Sequence, residues 1–445
     1  FLPGDNFHDH FDLALPDQPG LYFADGQIRD EVFVYGSFEM SRMGHAGVDC
    51  RDCHNSHSGE LILSIEDNSL CLRCHAVGTD GAPIARGPEH THHAMGSTGN
   101  RCVECHMPHT TYMGRDDRRD HGYHSPDPLL TRELGIPNAC NVCHAEEGLD
   151  WQVEHAEAWY GEALAESRQR KRARAIQAAY DGEPAAAEAL LALAQSEDIP
   201  AWIATYTGLL GNYTPDPEVL AYLRSALEHE HPLVRNRAVR ALANRSEAGA
   251  DLREAMNDPR RNVRMAAVMA RQQQGRRIPE GPAYDDYLAY LRFDADRPTP
   301  AFILADMALR EGDEARFSKL LDQAIGLDAV NPEVLRQGAV MASMAGDLIR
   351  AERYLRDGLQ HAPENAALHY SLALLYAEQQ RLPEAIEALR ETVSLDPSFY
   401  RAWYNLSIAL YQSGNQTEAR QALEQAAPGM GNDPGFQQMR QLLSR

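Results

Sequence analysis

The chain has 445 residues, a formal charge of -23 from 65 acidic and 42 basic residues, and eight cysteines. That length allows about three domains with apolar cores, and the acidic balance excludes nucleic acid as an expected partner, because phosphate binding needs a concentrated positive surface. No apolar run reaches about 18 residues, so no membrane span is expected.

The chain opens FLPGDNFHDHFDL, with neither Met nor a signal peptide, and Phe1 reads as a processing boundary. From Cys50 a kernel repeats four times: CRDCH (Cys50, Cys53, His54), CLRCH (Cys71, Cys74, His75), CVECH (Cys102, Cys105, His106) and CNVCH (Cys140, Cys143, His144). Every cysteine is used. A Cys-x-x-Cys-His stretch lets two thiols join the vinyl groups of one haem while the histidine turns under the ring to bind iron. Zinc sites and disulfide staples are the competing uses; zinc does not explain a histidine after every second cysteine, and disulfides within the close repeats would make strained small loops. The expectation is four covalent haem c groups with His54, His75, His106 and His144 as proximal ligands. Their covalent attachment implies a periplasmic or extracellular surface location.

A sixth ligand is then needed at each iron. Eleven of the nineteen histidines lie in the first 155 residues outside the motifs, so imidazole is favoured over methionine. His57, His93 and His121 rank first by position, followed by His90 and His109. Four haems within so short a segment must pack on one another, which predicts a loop-rich wrap.

The runs DGQIRDEVFVYGSFEMSRMGHAGVDCRDCHNSHSGEL (Asp25 to Leu61), HHAMGSTGNRCVECHMPHTTYM (His92 to Met113) and RRDHGYHSPDP through LGIPNACNVCH (Arg118 to His144) resemble multihaem c-type cytochromes with C-terminal tetratricopeptide repeats. The resemblance covers roughly residues 1–155 and implies electron transfer as the default activity. The alternatives are a reductase of a small nitrogen or sulfur compound at one open-site haem, which leaves the enzyme question open, and a conductive filament subunit.

From Asp150 helix formers recur on a 3.6-residue period. The basic run RQRKRAR (Arg168 to Arg174) reads as a solvated helix face. HPLVRNRAVRALA (His231 to Ala243) and DPRRNVRMAAVMA (Asp258 to Ala270) resemble HEAT-like repeats, with IPAWIATYTGLLG (Ile199 to Gly211) as a looser copy. Residues 298–433 repeat at 34: Leu335, His369 and Trp403 share one position, and Ala351, Ala385 and Ala419 another. This is the tetratricopeptide pattern, whose stacked helices offer a surface to peptide or protein. The predicted fold class is mainly α, with a loop-rich tetrahaem cytochrome c domain (1–155), HEAT-like helices (156–280) and a tetratricopeptide domain with a capping helix (281–445). A redox protein and a homo-oligomer or filament are the expected partners.

Overall fold

From residue 149 onward the chain is built of helices, several of which begin at a proline or a capping side chain. In the computed structural model, which describes all residues other than 1, 113, 244, 246, 247, 432, 444 and 445, they are α1 (Leu149–Ala165), α2 (Arg168–Tyr180), α3 (Ala186–Ser196), α4 (Pro200–Leu210), α5 (Pro217–Ala226), α6 (Pro232–Leu242), α7 (Gly249–Ala255) and α8 (Arg261–Gln273). Proline stands in the first turn of α4, α5 and α6, where its missing N–H leaves no helical bond unmade. Fully buried Ala204, Ala238 and Ala267 let these helices approach closely, and Val234, Val239 and Val268 fill the space between them.

The chain divides into two units, Phe1–Asp286 and Tyr287–Arg445. In the first, the residues ahead of α1 form short helical turns, loops and one antiparallel hairpin, β1 (His109–Tyr112) with β2 (Asp116–Arg119), His109 lying opposite Arg119. These residues do not stand as a separate cytochrome domain. Leu13, Leu15, Tyr22, Ile28, Met40, Tyr112 and Leu130 share one hydrophobic core with residues of α2 to α6. The expected fold class is corrected accordingly: the chain is mainly α with stacked repeat helices, and the loop-rich segment is part of the first unit's core.

Polar pins explain the merger. Trp202 of α4 is 1% exposed; its Nε1–H donates to the Met40 carbonyl at 2.8 Å, and the Arg172 guanidinium lies 3.6 Å from its ring centre. Gly26 has a positive φ of 100°, and a Cβ there would come within 2.6 Å of the Trp202 ring, so only glycine fits. Arg237 of α6 is wholly buried, pairs with Asp17 at 2.7 Å and Asp12 at 3.1 Å, and donates to the Leu13 carbonyl. The run RQRKRAR is a solvated face only in part: Arg168, Lys171 and Arg174 are exposed, whereas Arg170 is buried on Asp127 (2.6 Å) and Arg172 reaches Glu197 (2.9 Å).

The second unit begins within α9 (Pro282–Phe293) and continues with α10 (Pro298–Glu311), α11 (Glu314–Leu327), α12 (Pro332–Met344), α13 (Leu348–His361), α14 (Ala366–Glu378), α15 (Leu382–Leu395), α16 (Tyr400–Gln412), α17 (Gln416–Met430) and α18 (Pro434–Leu443). Ala351, Ala385 and Ala419, no more than 1% exposed, sit where paired helices cross. Phe436, Met439 and Leu443 of α18 close the last hydrophobic cluster. Among the described residues, no helix is long and apolar enough to cross a membrane.

Candidate functional site

Each Cys-x-x-Cys-His kernel folds as a short helical turn: Cys50–Asp52, Ser69–His75, Cys102–His106 and Cys140–His144. Residues three and four apart share a helix face, so both thiols and the histidine of a kernel emerge on one side. Cys50 and Cys143 are exposed and the other six cysteines half-buried.

The imidazoles are oriented by carbonyls. Nδ1 of His54 lies 2.9 Å from the Gly59 carbonyl, that of His75 2.8 Å from Pro83, that of His106 2.9 Å from His124, that of His93 2.6 Å from Thr91 and that of His121 2.9 Å from Arg119. A carbonyl only accepts, so Nδ1 carries the proton and Nε2 keeps a bare lone pair. A ligating histidine is ordinarily fixed in this way. Burial also lowers the pKa of His106 and His121, which favours the neutral ring.

Three pairs of rings then face each other. His54 and His121 have centroids 6.4 Å apart at 28°, His90 and His106 6.1 Å at 11°, and His93 and His144 6.0 Å at 44°. Metal–nitrogen bonds of about 2.0–2.1 Å on either side of one ion would put two imidazole centres roughly 6 Å apart. Of the sequence candidates, the structure thus brings His93, His121 and His90 to motif histidines. His57 is exposed with Ser56 Oγ 3.5 Å from its Nδ1, and His109 pairs with Asp117 at 3.1 Å. His75 has no facing ring among the described contacts. Met113 lies outside the described residues.

An aromatic ladder on α1 adjoins two of the pairs. His92 stacks on Trp159 at 4.3 Å, Trp151 on His155 at 3.9 Å, and His144 lies 5.1 Å from Trp151. The spacing Trp151, His155, Trp159 is one helix face, a signal present in WQVEHAEAW that the motif-centred reading passes over.

The description of HEAT repeats matches residues 203–272, and that of tetratricopeptide repeats matches 345–398 and 381–435. No curated protein matches the chain. Similar solved structures include MamA from Desulfovibrio magneticus RS-1, at 16% identity over 42% of this chain and 98% of that one with a TM-score of 0.31. Pseudomonas aeruginosa pilF is another, at 18% identity over 44% and 85% with a TM-score of 0.34. A third is the APC/C hetero-tetramer Cut9–Hcn1, at 15% identity over 68% and 60% with a TM-score of 0.33.

These findings correct the sequence expectations. What matches is HEAT and tetratricopeptide solenoid, not a multihaem cytochrome family. Among the described residues, no group of three or more His, Cys, Asp or Glu side chains is arranged to hold a metal ion. On that finding the four covalent haem c groups are withdrawn, and with them electron transport and the reductase and conductive-filament alternatives. The physical reason is that the imidazoles gather in twos, so the chain by itself does not complete a coordination shell. The repeat and protein-interaction terms stand: HEAT and tetratricopeptide solenoids commonly mediate protein contacts.

Proposed function

We propose that the protein is a repeat scaffold whose tetratricopeptide helices take a protein partner. One observation carries this: Val340 of α12 and Leu374 of α14 hold the same place in successive repeats and are each 44% exposed, and Ile408 of α16 continues the row half-buried. Apolar side chains repeated on one face of adjacent first helices suit a segment presenting apolar residues of its own. Chemical crosslinking in cells of the source, comparing wild type with the Val340→Glu, Leu374→Glu double variant, tests it. The partner set is expected to be lost in the double variant while its circular dichroism and melting are retained. An unchanged set would overturn the proposal, and sedimentation of the purified protein reads out whether a second copy is the partner.

A further inference from the structure

We propose that His229 and His231, with His8 packed against them, form an acid-sensitive latch that holds the N-terminal segment Asp5–Leu13 on α6 and α8 and releases it when the imidazoles take up protons. The three rings line a cavity of about 600 Å³ between that segment and the starts of the two helices.

The backbone fixes where each proton must go. His231 caps α6: its Nδ1 accepts the Leu233 N–H at 3.3 Å, and its own backbone N–H donates to His229 Nδ1 at 3.0 Å. An amide N–H only donates, so both Nδ1 atoms are bare and the single ring proton of each neutral imidazole sits on Nε2. An added proton can therefore enter only at Nδ1, where it turns an acceptor into a donor pointed at a donor. A proton on His231 removes the cap of α6, and one on His229 removes the bond that orients His231.

His8 couples this event to the segment. Its ring meets His231 edge-on, with centroids 5.1 Å apart at 87°, and its Nδ1 is buried without a hydrogen bond. The neighbouring Asp9 accepts the Arg261 N–H at the start of α8 at 2.9 Å and pairs with Arg260 at 3.2 Å.

The charges around the rings do not offset a new proton. His231 faces His8, His229 and Arg235, while His8 faces Asp9, Asp12, Arg235 and Arg260. Arg235 is committed to Asp258 at 2.6 Å, Asp9 to Arg260, and Asp12 to Arg237 and Arg240. Glu228 and Glu230 are exposed on the rim, where solvent screens them. Burial holds His231 down at about 4 and also lowers His8 and His229. A base whose folded pKa lies below the free value of about 6.5 binds fewer protons folded than released, so the latch is fully closed above that value and loses stability as pH falls toward 4.

Hydrogen exchange of the full chain at pH 7 and pH 5, corrected for the intrinsic rate, tests this while the Asp pairs remain ionised. The open fraction of the peptide spanning Asp5–Leu13, relative to peptides of α3, should rise on the order of twentyfold in wild type. In His231→Asn, whose amide caps the helix at every pH, the rise should shrink to less than about threefold. No rise in wild type, or an equal rise in the variant, would sink the latch. Nuclear magnetic resonance titration of the His231 ring in wild type needs no variant: a midpoint well below about 6.5 supports it and one at or above that value overturns it.

Discussion

The two units reach order by different routes. In Phe1–Asp286 a segment with little regular structure is held by bonds between residues far apart in sequence: Trp202 to Met40, Tyr180 to the Pro16 carbonyl, Arg237 to Asp12 and Asp17, and Arg261 to Asp9. In Tyr287–Arg445 the bonds run between neighbouring repeats, as from Asn405 to Tyr370 and from Ser343 to Glu378. Long-range pins must all be made together, whereas a stack accumulates order repeat by repeat. The first unit is accordingly expected to be sensitive to single side chains and the second tolerant of them.

Trp202→Ala is the strongest way to break that contrast. It empties a fully packed site, strips the Met40 carbonyl of its donor and removes the ring under the Arg172 guanidinium, and about 5 kcal/mol of the first unit's stability should go, at the top of the range for large aromatic truncations. Urea unfolding followed with a probe in each unit is the check. A loss shared equally by Tyr287–Arg445 would mean the units do not fold separately. Arg237→Met should cost less, about 3 kcal/mol, the low end for a broken buried pair. Asp17 is already pushed above the usual carboxylate pKa by burial, so it can take up a proton once its partner is gone. A carboxyl whose folded pKa is raised stabilises at low pH, so the variant's deficit should narrow as pH falls toward 5; a deficit constant from pH 8 to pH 5 would assign the role of Arg237 to packing alone.

The repeats were legible because their signals are local and periodic. Ala351, Ala385 and Ala419 recur in the sequence at the spacing with which they meet in space, and the prolines mark where helices begin. In the first 155 residues the haem reading of the kernels is overturned, and the architecture was not legible either. The kernels announce histidines in helical turns, yet nothing in the sequence says that His106 faces His90 or that His144 faces His93, because those pairs depend on loop paths. The basic run Arg168–Arg174 misled in part for a related reason: Asp127 and Glu157, the acidic partners of its buried Arg170, lie in elements that only the fold brings near.

The same contrast separates two kinds of histidine. His54, His75, His93, His106 and His121 meet carbonyls at Nδ1 and keep Nε2 bare, while His229 and His231 meet amides at Nδ1 and carry their proton on Nε2. A ring of the first kind keeps its lone pair at Nε2, and one of the second kind can take a further proton only at Nδ1.

The smallest effect tests the tolerant side. Ser407 of α16 is fully buried, and its hydroxyl donates to the Ala419 carbonyl of α17 at 2.7 Å. Ser407→Ala keeps the small side chain that the helix crossing requires, and that carbonyl still accepts its bond within α17, so no buried donor or acceptor is orphaned. The loss should be about 1 kcal/mol, read as a fall of roughly 2–4 °C in the melting of the second unit. The probe in the first unit should not move. A loss of 3 kcal/mol or more, as estimated for Arg237→Met, would show that the stack too depends on single polar contacts, and the difference between the two halves would then lie in sequence separation alone.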